Sequence, residues 1–339
     1  MRMDNLRTGW FTCRMTSTHP GAGARESGKR EEVRFASGDT ECAAWHYPGT
    51  NGACVVMAGG FAVPKEPATD LFAKRFHDAG FSVLAFDYRG VGTSGGQPRL
   101  VLPVKKQLAD WAAAIAFAAA LPEVDPGRIA LWAFSMSGGH VIRVAARNPR
   151  VAAVIAQTPN VGGPAAMLSA ASHQKPLAML RFTGRGIADA VGALVGRRPL
   201  LVPLAGEPGA VAMLTTPDVG DGARALDPDR RHPDWRQEVA ARSALRLLFY
   251  QPGRDTSRVR SPLLVLICDE DRTAPPGPAI HAARRAPRAE LVRMPGRHYA
   301  PFMEMHEQAL DVELAFLRRH LLGDARGASG AVPVDAARR

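Results

Sequence analysis

The chain has 339 residues, of which 46% are hydrophobic, 22% charged and 6% aromatic. This length and composition suit a protein with a large buried core and exclude disordered or fibrous classes. The formal charge of +11 is spread over scattered arginines (Arg147, Arg150, Arg197, Arg198, Arg230, Arg231, Arg284, Arg285, Arg318 and Arg319) with no run of five or six, and the scarce aromatics offer no base-stacking platform. Neither nucleic acid nor a membrane is therefore expected as a partner, while a general preference for anionic surfaces or substrates stays open.

In chain order, residues 1 to about 30 mix Pro20, Gly21, Gly23 and Gly28 with charges and show no periodicity; they read as a flexible leader. Arg2 and Arg7 have no apolar stretch behind them, so no secretory signal is expected. Val33 to Ser37 and Cys42 to Tyr47 predict paired strands around Gly38-Asp39, and Ala53 to Ala58 a strand buried on both faces. Leu71 to Ala79 predicts a helix, Ser82 to Phe86 a strand, and Pro103 to Leu121 a helix with an apolar face. Its most apolar part, Trp111 to Leu121, is too short and Ala-rich to span a bilayer.

Arg128 to Ala133 (strand), Gly138 to Arg147 (helix) and Val151 to Gln157 (strand) continue the alternation. After an interruption come a strand at Pro262 to Cys268, a helix at Pro278 to Arg285, a strand at Ala289 to Met294 and a last helix at Met303 to Leu321. Such alternation implies an α/β fold with a mostly parallel sheet and helices on both faces. Residues 31–160 and 259–322 form its core. Residues 161–258 need structure of their own and read as an inserted, mostly helical cap, with helical pieces at Met167 to Ala171, Ile187 to Val195 and Trp235 to Tyr250. In the last of these, Val239, Leu245 and Leu248 would form a packing face. Residues 323–339 read as a flexible tail. Cys13, Cys42, Cys54 and Cys268 lie far apart, without metal-ligand spacing or any sign of an oxidising compartment, so a cytoplasmic location and no metal are expected.

The strand Arg-Ile-Ala-Leu-Trp-Ala runs directly into Phe134-Ser135-Met136-Ser137-Gly138-Gly139. A sharp strand-to-helix turn that exposes a serine tolerates only small residues two before and two after it, and Ala133 and Ser137 fill those positions around Ser135. Ser137 is the competing nucleophile, and helix capping is the bland alternative for both. A strand also leads into Asp269-Glu270-Asp271-Arg272-Thr273, where Asp271 best fits a catalytic acid and Asp269 is the fallback. The strand ending at Met294 leads to His298. The chain order Ser, Asp, His is that of α/β-hydrolases and differs from those of chymotrypsin and subtilisin.

The chain resembles the α/β-hydrolase superfamily over roughly residues 32 to 321. Val55 to Phe61 is similar to the strand and oxyanion loop, with Gly59 where His is common. Asp87-Tyr88-Arg89-Gly90-Val91-Gly92-Thr93-Ser94 and Pro-Leu-Leu-Val-Leu-Ile-Cys-Asp-Glu-Asp are similarly typical. The likeness is to bacterial members near the serine-aminopeptidase-like and dienelactone-hydrolase-like branches. It implies a serine hydrolase with Ser135, His298 and Asp271 as triad, oxyanion donors in the backbone N–H of Phe61 and Met136, an acyl-enzyme, and no cofactor.

The expected substrate is a small acyl compound: a carboxylic ester, lactone or thioester. The same triad would also serve an acyltransferase or cyclising thioesterase. A peptidase ranks lower because residues 161–258 are acid-poor, with Asp218, Asp221, Asp227 and Asp229 bunched. A non-catalytic ligand binder is the reading from a different class. Dehalogenases and epoxide hydrolases carry Asp at the elbow, where this chain has Ser135. Met167, Leu180, Phe182, Met213 and Leu214 are candidates for an acyl pocket, or else core of the insertion. A homodimer is left open.

Overall fold

The computed structural model describes residues 30–232 and 235–324 and the backbone of 332–333; the expected leader before Arg30, with Cys13, lies outside the described residues. The strands in chain order are Glu31–Ser37 (β1), Thr40–Tyr47 (β2), Cys54–Ala58 (β3), Ser82–Phe86 (β4), Ile129–Phe134 (β5), Ala153–Gln157 (β6), Leu201–Pro203 (β7), Glu238–Ala240 (β8), Leu263–Cys268 (β9), Ala289–Met294 (β10) and Val332–Pro333 (β11). Nine of them form one sheet in the order β1-β2-β4-β3-β5-β6-β9-β10-β11. The pairs from β4 across to β10 are parallel, while β1, β2 and β11 are antiparallel to their neighbours.

Every residue of β3, β4, β5, β6 and β9 is buried. That explains why these segments are continuous apolar runs: a central parallel strand has no polar face to offer. Lys65–Asp78 (α1) and His306–Leu317 (α8) cover one face. Val104–Ala118 (α2), Ser135–Ala145 (α3) and Pro276–Arg285 (α7) cover the other. On α2 the buried positions Gln107, Asp110, Trp111, Ala114, Ile115 and Ala118 recur every three to four residues, the stripe of a helix laid on a sheet.

Register places the functional end of the sheet. Phe134, the last residue of β5, stands level with Gln157 on β6, and Gln157 level with Leu266 on β9. The loops leaving the carboxyl ends of β5, β9 and β10 therefore open at one rim. Helix α3 is pinned there by His140, which is fully buried and pushed down to about 3 by burial, so its ring is neutral. Its Nδ1 accepts the Tyr250 hydroxyl at 2.6 Å, and its Nε2–H donates to Gln107 on α2 at 3.2 Å. Three cysteines, Cys42, Cys54 and Cys268, are buried free thiols; burial pushes Cys42 up to about 12, so it behaves as a small hydrophobe.

Between β6 and β9 the chain forms Gly163–Ser172 (α4), Pro176–Leu194 (α5), the two short strands β7 and β8, Val219–Leu226 (α6) and 3₁₀ segments at Ala241–Phe249 and Pro252–Arg258. The expected helix at Trp235 to Tyr250 is corrected. Val239 belongs to β8, which pairs antiparallel with β7; Ala240 and Ala241 donate to the carbonyls of Leu100 and Leu200, and a 3₁₀ segment follows. These external partners claim backbone groups that an α-helix would need for itself, and Leu248 is left partly exposed rather than packed. Helix α1 begins at Lys65, six residues before the sequence signal, because Pro67 sits in its first turn, where a missing N–H costs nothing. Part of the expected loose tail, Val332–Pro333, pairs with β10 and covers what would otherwise be an edge strand.

Beneath the sheet, Trp132 Nε1 donates to Glu313 on α8 at 2.9 Å, and burial drives the Glu313 carboxyl well above its usual range. In the unfolded chain this group ionises near pH 4.3. Between that pH and its raised folded value the native state holds one proton more, so its contribution to stability falls as pH rises. Glu313→Gln is expected to remove this fall, so that the variant gains on wild type in urea unfolding at pH 8 relative to pH 4.5.

Candidate active site

Strand β5 turns into α3 with no intervening loop, and the bend is carried by Ser135 at φ +58°, a left-handed conformation rarely adopted by a non-glycine residue and concentrated at functional sites. Close packing behind the turn explains the small residues that follow. A Cβ on Gly138 would stand 2.9 Å from Pro159, and one on Gly139 2.4 Å from the Asn160 carbonyl. Asn160 N–H in turn donates to the Ser135 carbonyl at 2.9 Å.

Ser135 Oγ–H donates to His298 Nε2 at 3.0 Å, and His298 Nδ1–H donates to Asp271 Oδ2 at 2.6 Å. His298 and Asp271 are buried. Burial raises the Asp271 carboxyl above its ordinary range, opposed by His298 and the Ala274 N–H, while Asp218 adds to the rise. The structure thus brings together the three residues selected from the sequence and separates their rivals. Ser137 is buried with its hydroxyl 2.7 Å from the Tyr88 hydroxyl, to which Trp111 Nε1 also donates. Asp269 and Glu270 are exposed, and Asp269 pairs with Arg293.

The loop from Gly59 to Lys65 lies opposite the elbow. A Cβ on Gly60 would meet the Phe134 ring at 2.8 Å, so glycine is what lets the loop approach. Ala62 has φ +57°, and its carbonyl accepts Trp235 Nε1 at 3.2 Å. At the end of the loop Asp87 holds Lys65 twice: Oδ1 accepts its backbone N–H at 2.6 Å and Oδ2 its ammonium at 2.9 Å. Oδ2 also accepts Thr93 N–H at 3.0 Å, and a Cβ on Gly92 would collide with this carboxylate. The Asp-x-Arg-Gly-x-Gly-x-Ser segment is therefore a clamp: Arg89 donates to Asp110 at 2.6 Å, and Arg99 donates to the Gly92 and Ser94 carbonyls.

Residues 161–258 also grip the loop that carries the acid. Asp218 is fully buried, and its Oδ2 accepts the N–H groups of Arg272 at 2.6 Å and Thr273 at 3.2 Å. Thr216 and Thr273 share a hydroxyl contact of 2.7 Å, and Ser169 on α4 donates to the Arg272 carbonyl at 2.6 Å. Sequence reasoning grouped Asp218 with three other acids and did not separate it; nothing local marks it, because its partners are backbone groups more than fifty residues away. Asp218→Ala is expected to lower kcat on the order of 10- to 100-fold through misplacement of the acid loop, with KM for a short ester nearly unchanged and Asp218→Asn largely restoring kcat. Steady-state kinetics on the two variants checks this.

The acyl-pocket candidates divide. Phe182, Met213 and Leu214 are partly buried against the core and Met167 is exposed. Leu180 is 70% exposed, too open for either a pocket wall or a packed interior.

Comparison with known proteins gives the family and the fold. The family model described as serine aminopeptidase, S33, matches residues 51–304. This chain belongs to that family of α/β-hydrolases. The quorum-quenching protein AidA of Acinetobacter baumannii is 38% identical over 85% of this chain and 94% of its own. Polyketide transferase af380 of Aspergillus fumigatus is 28% identical over 86% of this chain and 99% of its own. The crystal structure of the α/β hydrolase GrgF from Penicillium superposes with a TM-score of 0.71 at 22% identity, covering 87% of this chain and 99% of that one. The chain thus shares its fold with that hydrolase, and its relatives include, by name, both a quorum-quenching protein and a polyketide transferase.

Proposed function

We propose that the protein is a serine hydrolase that cleaves a carboxylic ester, lactone or thioester through an acyl-enzyme on Ser135. The observation that carries this reading is the unbroken hydrogen-bond relay from Ser135 Oγ through His298 to Asp271. His298 takes the serine proton as Oγ attacks the acyl carbon. Asp271 fixes the tautomer and steadies the imidazolium, which then returns the proton to the leaving group. Water activated by the same imidazole attacks next and releases the acid. The backbone N–H groups of Phe61 and Met136 serve as oxyanion donors, each worth about 3 kcal/mol of transition-state stabilisation in comparable sites. Residues 161–258 act as a cap over this rim, and Met167, Phe182 and Met213 are its candidates for acyl contact.

Peptide cleavage from a free amino terminus would need an unengaged acid to receive the ammonium. The four bunched acids are engaged elsewhere: Asp218 with backbone N–H groups, Asp221 with Arg224 and Arg297, Asp227 with the Arg231 and His232 N–H groups, and Asp229 with Arg231. The second reading, transfer of the acyl group to an acceptor other than water, is favoured by the polyketide transferase relative. Pre-steady-state hydrolysis of nitrophenyl esters of graded chain length separates the two. A nitrophenol burst followed by a turnover unaffected by added alcohols or amines supports hydrolysis. Acceleration by one of them, with the acyl product recovered on it, supports transfer. Absence of any burst or turnover across the series contradicts both.

A further inference from the structure

Helix α5 is apolar on the side it should leave to water. Its inner side is accounted for: Gly186 lies against Ala241 and Leu245, and Asp189 accepts the N–H groups of Leu200 and Arg242. On the outer side Leu177, Leu180, Ile187, Val191 and Leu194 stand between 52% and 85% exposed. With Gly184 they succeed one another at alternating steps of three and four, a straight apolar seam about 25 Å long. Leu168 on α4 and Phe249, 72% and 78% exposed, add to the apolar surface presented by the same insertion.

Charge decides what such a face suits. Lys175, Arg181, Arg185, Arg197 and Arg198 are exposed within and just beyond α5, and the single acid between residues 161 and 200 is Asp189, buried beside Arg242. An apolar patch of this extent on a protein surface marks an interaction site. A second copy of the chain is a poor occupant: Gly184 supplies no knob at the centre of the seam, and paired helices would bring arginine to arginine without a carboxylate. Nor does α5 suit a spanning position, since no described helix is long and apolar enough to cross a membrane. A helix with an apolar face and a cationic border fits the plane of a headgroup layer instead.

We propose that α5 docks the enzyme on an anionic lipid surface, with the Leu177-to-Leu194 seam entering the acyl boundary and the surrounding arginines meeting lipid phosphates. This departs from the expectation of no membrane partner. Along the sequence the arginines look dispersed; the helix gathers several of them around one apolar face. Because α4 is tied to the loop after Asp271 through Ser169, a docked insertion would hold the active site beside the membrane.

The test is flotation of the full chain with phosphatidylglycerol vesicles and with phosphatidylcholine vesicles, alongside turnover of a soluble nitrophenyl acetate in the same samples. Wild type is expected to partition at least about tenfold better to the anionic vesicles, with the preference fading at high salt. Ile187→Glu/Val191→Glu/Leu194→Glu is expected to abolish binding, and Arg181→Gln/Arg185→Gln to erase the preference, both with unchanged turnover. Equal partition of wild type and variants overturns the proposal. So does failure to bind vesicles combined with a dimer, seen by light scattering, that the triple substitution dissolves, or with binding to an acidic protein that the same substitution removes.

Discussion

Ser135→Ala is expected to lower kcat on a nitrophenyl ester by at least ~10³-fold, as removal of a triad nucleophile does in a serine hydrolase, while leaving the melting temperature close to that of wild type. The stability expectation follows from the side chain's surroundings: among the described residues Ser135 Oγ has His298 as its hydrogen-bond partner and holds no other element in place. Ser137→Ala should behave in the opposite way. Its hydroxyl meets Tyr88 in the interior, so its loss leaves a buried phenol short of a partner and costs about 1 kcal/mol or more, with kcat reduced by less than about tenfold. Kinetics and thermal unfolding on both variants distinguish a nucleophile from a neighbour two residues away with the same chemistry.

Asp87→Ala should be the most damaging single change outside the triad. It strands the Lys65 ammonium in the interior, a loss of about 3–5 kcal/mol for a broken buried pair, and releases the N–H groups of Lys65 and Thr93 as well. A fall in melting temperature on the order of 10 °C follows, together with reduced activity, because the loop from Gly59 to Lys65 loses its anchor. Lys65→Met should be milder. The Asp87 carboxylate would still accept both backbone N–H groups, and its charge would remain hydrogen-bonded. If Lys65→Met proved the more destabilising of the two, the clamp would not work as described.

Much of this site could be read from the sequence because its constraints are local. The turn at Ser135 demands small neighbours, and parallel strands demand unbroken apolar runs. The loop bearing Asp271 follows such a run within three residues, and His298 follows the mixed strand β10 beside it within four, so strand order alone brought the triad within reach. Residues whose partners are remote were not legible. Asp218 and Lys65 look like ordinary surface charges until the fold buries them against backbone groups and a distant carboxylate. The segment from Trp235 to Tyr250 has helical spacing, yet β7 and the loop at Leu100 claim its backbone, and tertiary hydrogen bonds override a pattern of side chains. The early start of α1 was hidden by Pro67, which breaks helices in their interior but not in their first turn.

The most direct test is labelling with a fluorophosphonate, which reacts with a serine only when its proton has been drawn away and an oxyanion site is ready, followed by mass mapping of the modified peptide. The structure predicts one adduct, on Ser135, abolished in His298→Ala and in Ser135→Ala but retained in Ser137→Ala. An adduct on Ser137, or no adduct on folded wild-type protein, would contradict the assignment of Ser135, His298 and Asp271 as the reacting centre.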